Sequence, residues 1–151
     1  MRKLLCLAVP VMTAGAAHAG GIELTVEIPK LSVAEYHRPY VAIWIEDASG
    51  KVAANLSVWY DVDLKDSEGE KWLKDIRQWW RRTGRSLEMP LDGVSSPTKA
   101  PGANKLIVEA TREVGGKEMV EVPFKWAPGT EATTSAKGKE ELGAITLKLT
   151  K

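Results

Sequence analysis

Cysteine is almost missing from this chain. The only one, Cys6, lies in an apolar stretch near the start, and no thiol follows Ala19. Disulfides, thiolate metal sites and cysteine nucleophiles are therefore excluded from residues 20–151. Histidine is nearly as scarce: of 2 in the sequence, only His37 lies beyond Ala19. One imidazole cannot build a histidine zinc or copper site within one chain. It would also be the only histidine base for a hydrolase triad, and no G-x-S-x-G elbow accompanies it. No glycine-rich phosphate loop follows a strand. Carboxylates are plentiful, yet no two are marked out as a glycosidase pair. The expectation is no independent enzyme and no metal centre.

Charge of one sign is lacking too. The sequence carries 21 basic and 20 acidic residues, and losing Arg2 and Lys3 turns the formal +1 into −1. A chain so balanced has no overall pull toward nucleic acid or an anionic membrane. Long hydrophobic runs are absent: Leu4–Met12 is too short for a permanent span. With Arg2 and Lys3 before it and Ala17-His18-Ala19 after it, this run reads as an export signal cleaved after Ala19. A periplasmic protein of residues 20–151 is expected, long enough for one domain. Phenylalanine occurs once, whereas tryptophan occurs 6 times, at Trp44, Trp59, Trp72, Trp79, Trp80 and Trp126. Such rings either build the core or wall a flat ligand.

Alternation of Ile22, Leu24, Val26 and Ile28 with Glu23, Thr25 and Glu27 predicts a half-buried strand over 21–28. Residues 40–46 and 51–60 read as strands joined by the turn Asp47-Ala-Ser-Gly50, an antiparallel hairpin. Residues 104–111 and 117–126 read as a second hairpin through Gly115-Gly116, with Val120, Val122, Phe124 and Trp126 on one face. Residues 128–139 read as a polar loop, and 144–149 as the closing strand.

Asp61, Asp63 and Asp66 suggest calcium, but Lys65, Asp66 and Trp72 stand where an EF-hand needs a ligand, a glycine and a glutamate. Ser67 and Glu70 form a capping box ahead of Trp72, Leu73, Ile76, Trp79 and Trp80, which predicts one amphipathic helix stopping at Gly84. Arg77, Arg81, Arg82 and Arg85 suit its negative end and could meet a phosphate. The fold expected is mainly β: an immunoglobulin-like antiparallel β-sandwich whose helix, in a crossover, covers an open edge or end.

Trp59-Tyr60, Trp72–Trp80, the loop Asp92–Gly102 and Val108–Gly116 together resemble exported bacterial proteins grouped as domain of unknown function 2271. That resemblance implies an exported β protein, often encoded beside PepSY-type membrane proteins and a FAD:protein FMN transferase. The loop itself resembles the motif Asp-Gly-x-Thr/Ser-Gly-Ala-Thr at which such a transferase attaches FMN to a threonine. Asp92, Gly93, Ser95 and Thr98 stand at matching positions, whereas Ser96 and Pro97 replace the glycine and alanine. Pro97 restricts Ser96 to extended backbone and removes an N–H.

The resemblance implies FMN on Thr98, oriented by Asp92, with Lys99 neutralising phosphodiester charge and Trp79 or Trp80 walling the flavin. The expectation that follows is a periplasmic electron carrier serving a membrane PepSY-type reductase. The alternative is a non-catalytic immunoglobulin-like binding or assembly module that meets a protein or glycan through exposed Trp and Tyr.

Overall fold

The structure, a computed structural model, describes residues 21–91, 103–125, 129 and 131–150. Seven strands follow in order: β1 (Gly21–Val26), β2 (Tyr40–Asp47), β3 (Val52–Trp59), β4 (Ala103–Thr111), β5 (Lys117–Pro123), β6 (Ala132–Lys137) and β7 (Ala144–Thr150). They form a four-stranded sheet, β3-β2-β4-β5, and a three-stranded sheet, β1-β7-β6, with every pairing antiparallel. Both expected hairpins are present. The β2–β3 turn is held by Asp47, whose Oδ1 accepts the Ser49 and Lys51 N–H groups and the Ser49 hydroxyl.

The two sheets face each other through one apolar core. Val41, Ile43, Ile45, Leu106, Val108, Ala110 and Val122 from the larger sheet meet Ile145, Leu147 and Leu149 from the smaller. Strand β6 was not legible as a strand. Ala-Thr-Thr-Ser-Ala-Lys lacks large apolar residues, but it pairs with β7 from Ala132↔Leu149 to Lys137↔Ala144 and half-buries Thr134 and Ala136. Its threonines suit a pleated edge.

The centre of the larger sheet is buried on both faces. Residues 41–46 of β2 are all buried, although only Val41, Ile43 and Ile45 face the other sheet. Ala42, Trp44 and Ile107 point the opposite way, into a second apolar cluster with Val58, Leu73, Ile76 and Trp79. The helical segment thus packs on the outer face of this sheet, not on an edge or end of the sandwich. Two register shifts in β2–β3, at Ile43/Trp44 and Ile45/Glu46, let β3 serve both clusters. Leu56 and Ala54 join the inner core while Val52 and Val58 join the outer one.

The single helix expected here is a chain of short turns. Lys65–Ser67, Leu73–Asp75 and Gly84–Ser86 are 3-10 turns, interleaved with α1 (Glu68–Lys71) and α2 (Arg77–Arg82). Asp66 and Ser67 adopt φ of 54° and 55°, and the Ser67 hydroxyl makes no capping bond, so the capping box does not form. Ile76 breaks the path again at ψ 75°. The break lets the sheet supply the missing cap: the Glu109 carboxylate of β4 accepts the N–H groups of Gln78 at 3.1 Å and Trp79 at 2.9 Å. Thr111 Oγ1 donates to the Asp75 carbonyl at 3.0 Å. Gly84 is required by contact: a Cβ there would stand 2.7 Å from the Trp79 ring.

Strands β4 and β5 are also tied to the turn before β7. Arg112 Nε donates to Glu141 Oε2 at 2.9 Å, both side chains being buried. Glu118 accepts the backbone N–H groups of Lys139, Glu140 and Leu142. Burial raises the Glu118 carboxyl, but these N–H bonds outweigh it and hold the group below its ordinary 4.5. A depressed carboxylate stabilises the fold above its unfolded pKa and loses that contribution as pH falls. Glu118→Gln should therefore cost about 1–2 kcal/mol at pH 7, trimmed by solvent at this half-buried site. In thermal melts across pH, the gap to the wild type should close below pH 4.5.

Candidate functional site

At one end of the four-stranded sheet, the start of β2, the ends of β3 and β4 and the start of β5 lie side by side. Tyr40 pairs with Thr111, Val41 with Trp59 and Thr111 with Lys117. Loops 36–39, 60–64 and 112–114 and the helical residues Trp72 and Asp75 rise around this end. Together they enclose an open cleft of about 1000 Å³, at the upper end of the size range of ligand sites.

Aromatic rings form its apolar part. Trp72 is 51% exposed and Trp59 39% exposed, while Val62, Leu64 and Val114 are exposed beside them. Contiguous exposed apolar groups in a concavity mark a binding surface more often than isolated ones do. Tyr40 and Tyr60 meet edge to face, with ring centroids 6.3 Å apart. Burial pushes the Tyr40 phenol above its ordinary value, against an opposing Asp61 N–H and with help from the Asp61, Glu113 and Glu68 carboxylates. Burial, then Glu70, raises Tyr60 likewise. Both phenols stay protonated at neutral pH and can donate hydrogen bonds.

The polar lining is mixed. Asp61, Asp63, Asp75 and Glu113 supply acceptors, and Arg38 and Lys117 supply donors without an ion-pair partner among the described residues. His37 is engaged with Glu35 at 2.8 Å and lies 3.7 Å from Glu113. Arg112 also lines the cleft, but its guanidinium is committed to Glu141. Gly69 closes the floor of loop 60–69, because a Cβ there would stand 2.0 Å from the Asp61 carbonyl oxygen. The arrangement has flat apolar walls, acceptors and donors. Among the described residues no group of three or more His, Cys, Asp or Glu side chains could hold a metal.

The site residues expected from sequence are distributed differently. Asp92, Gly93, Ser95, Thr98 and Lys99 lie outside the described residues. Trp79 offers no wall to a ligand: it is fully buried in the outer core, and its Nε1 donates to Asn55 Oδ1 at 2.9 Å. The physical reason is that Leu73, Ile76 and Trp79 form the face that docks on the sheet. Trp80 is half-buried against Trp79, ring centroids 6.2 Å apart, and lines a smaller cavity of about 390 Å³ with Leu87 and Met89.

The exposed pair Trp59 and Trp72 was missed as a wall. Uninterrupted helical spacing placed Trp72 with the buried rings, and the irregular backbone from Trp72 to Ile76 turns it outward. The signal available was Trp59-Tyr60 running straight into the acidic stretch 61–66.

The fold defines a β-sandwich with a helical layer on one outer face and an aromatic cleft at one end. The model of a family described as "Predicted periplasmic protein (DUF2271)" matches residues 21–108, more than half of the chain. The chain belongs to this family. No curated protein and no solved structure matches it. The matched span holds β1 to β3, the helical layer, segment 92–102 and most of β4. Among the described residues no helix is long and apolar enough to cross a membrane.

The different placement of the two rings has a measurable consequence. Trp79→Ala should cost about 3–5 kcal/mol through lost burial and a cavity. Trp72→Ala should stay within about 1 kcal/mol. Urea denaturation of both variants checks this; equal losses would contradict the assignment of one ring to the core and the other to the cleft.

Proposed function

We propose that the protein is a periplasmic electron carrier with FMN covalently attached at Thr98, exchanging electrons with a membrane-bound PepSY-type reductase. The observation that carries this reading is the spacing Asp92-Gly93-x-Ser95-x-x-Thr98 in a chain of this family. The aromatic cleft supports it by offering flat walls with hydrogen-bonding groups of both kinds. The lack of cysteine and the single histidine beyond Ala19 fit a protein whose redox chemistry is supplied by an attached group.

Attachment requires a FAD:protein FMN transferase. The Thr98 oxygen bonds to the FMN phosphorus of FAD as the pyrophosphate bond breaks, AMP leaves, and the hydroxyl proton passes to a base of the transferase. The small and turn-forming residues around Thr98 suit an enzyme's grip, and Asp92 is placed in sequence to orient the hydroxyl or hold the transferase's magnesium. Lys99 offsets part of the phosphodiester charge. Export before the modification fits the Leu4–Met12 run followed by Ala17-His18-Ala19. When bound, FMN supplies reversible one- and two-electron transfer; the protein holds and shields it.

A second reading, a non-catalytic immunoglobulin-like binding or assembly module, is favoured by the same cleft, which needs no cofactor to present Trp59 and Trp72.

Co-expression with an FMN transferase decides between them. The carrier should give a yellow protein whose flavin fluorescence survives denaturing electrophoresis, and Thr98→Ala should remove more than about nine-tenths of it, as expected for loss of the only bonding oxygen. Fluorescence kept by Thr98→Ala and lost with Ser95→Ala or Ser96→Ala would move the attachment point. A colourless wild type would select the binding module.

A further inference from the structure

The geometry points to the cleft at the Tyr40–Thr111 end as the seat of an isoalloxazine ring, held between or against Trp59 and Trp72. This assigns a binding site to residues that the attachment motif does not contain. It rests on the flavin reading for the identity of the ligand, but the seat is formed entirely by described residues.

Three observations carry it. The first is exposure. Trp79 is sealed in the core and Trp80 is half-buried in the smaller cavity, whereas Trp72 and Trp59 are 51% and 39% exposed on the larger one. A tricyclic ring gains most where a large aromatic face is still in contact with water. The second is chemistry. The pyrimidine edge of the ring offers an N–H donor between two carbonyl acceptors. Asp63 can take the former, and Arg38, Lys117 and the raised phenol of Tyr60 can serve the latter.

The third is reach. The Leu91 carbonyl accepts the N–H of Val58 at 3.1 Å, which holds Leu91 beside the residue before Trp59. The chain is described again from Ala103, which pairs with Asp47 at the opposite end of the sheet. From Ala103, Thr98 lies within about 18 Å of extended chain, while β4 needs about 27 Å to arrive at Thr111. The phosphate and five-carbon ribityl arm of FMN is long enough to span the remaining gap, about 10 Å.

The test separates the seat from the attachment. Unmodified full-length protein is titrated with free FMN up to millimolar concentration, because without a tether the effective concentration is lost. Quenching of tryptophan and flavin emission is read. Saturable quenching is expected, weakened about tenfold or more in Trp72→Ala and Trp59→Ala and unchanged in Trp80→Ala. The melting temperature of each variant is measured alongside.

In protein loaded by the transferase, the attached flavin should become several-fold brighter in Trp72→Ala. The absence of quenching in the wild type, or a loss that follows Trp80 instead, would overturn the seat. Attached flavin whose brightness in the folded protein ignores Trp59 and Trp72 also overturns it and leaves attachment at Thr98 standing. Free FMN binding that depends on both rings, in a protein the transferase never labels, supports the seat and sinks the attachment.

Discussion

The structure depends on a sheet whose central strands, β2 and β4, must be dry on both faces. An antiparallel sandwich usually leaves the outer face of each sheet to water. Here Trp44 and Ile107 stand on the outer face of the four-stranded sheet, and neither can be left exposed without a large apolar patch. The helical layer covers them with Leu73, Ile76 and Trp79, of which Trp79 is the largest. Burying two indoles brings two ring N–H groups out of water. Each is met by a side chain from the sheet: Glu46 Oε1 accepts from Trp44 at 3.0 Å, and Asn55 Oδ1 from Trp79 at 2.9 Å. Every buried side-chain nitrogen and oxygen among the described residues has a partner.

The same requirement explains why the layer is broken into turns. A continuous helix would offer its own start a serine cap and run straight past the sheet. The protein instead kinks at Ile76 and gives the start of α2 to Glu109, a buried carboxylate on β4. Glu46 is used twice over, since it also meets Arg82 from the end of α2. Charged groups between the layer and the sheet are therefore structural. Arg82, one of four arginines that could have met a phosphate, binds Glu46 and the Gly50 carbonyl.

This distinguishes what could be read in advance from what could not. Strands with alternation or a glycine turn, β1 to β5 and β7, were legible because burial of one face writes a period of two into the residues. β6 was not, because its small and hydroxyl side chains pair at an edge without supplying core volume. The position of the helical layer was hidden for a related reason. Tyr-Val-Ala-Ile-Trp-Ile-Glu over 40–46 is a nearly continuous apolar run, the mark of a strand covered on both sides, yet it was read simply as a strand of the sandwich. At the site, composition did announce an excess of tryptophan. It could not say which rings were core, since that depends on where a helix breaks and not on which residues it contains.

The cleft inherits its shape from these constraints. Its wall on one side is the end of the helical layer, which Gly69 presses against Asp61 and Thr111 holds at Asp75. Its wall on the other is the β4–β5 hairpin, where Arg112 is turned inward to Glu141 and Gly115 leaves that guanidinium the room of a missing Cβ. A buried ion pair is weak evidence for stability, but it fixes geometry well because neither partner can be moved without stranding the other. Arg112 is thus unavailable to a ligand, which leaves Arg38 and Lys117 as the cations and four carboxylates against them. A site so composed has no strong preference for a free anion. A flat group with a modest hydrogen-bonding edge suits that lining better than a phosphate would.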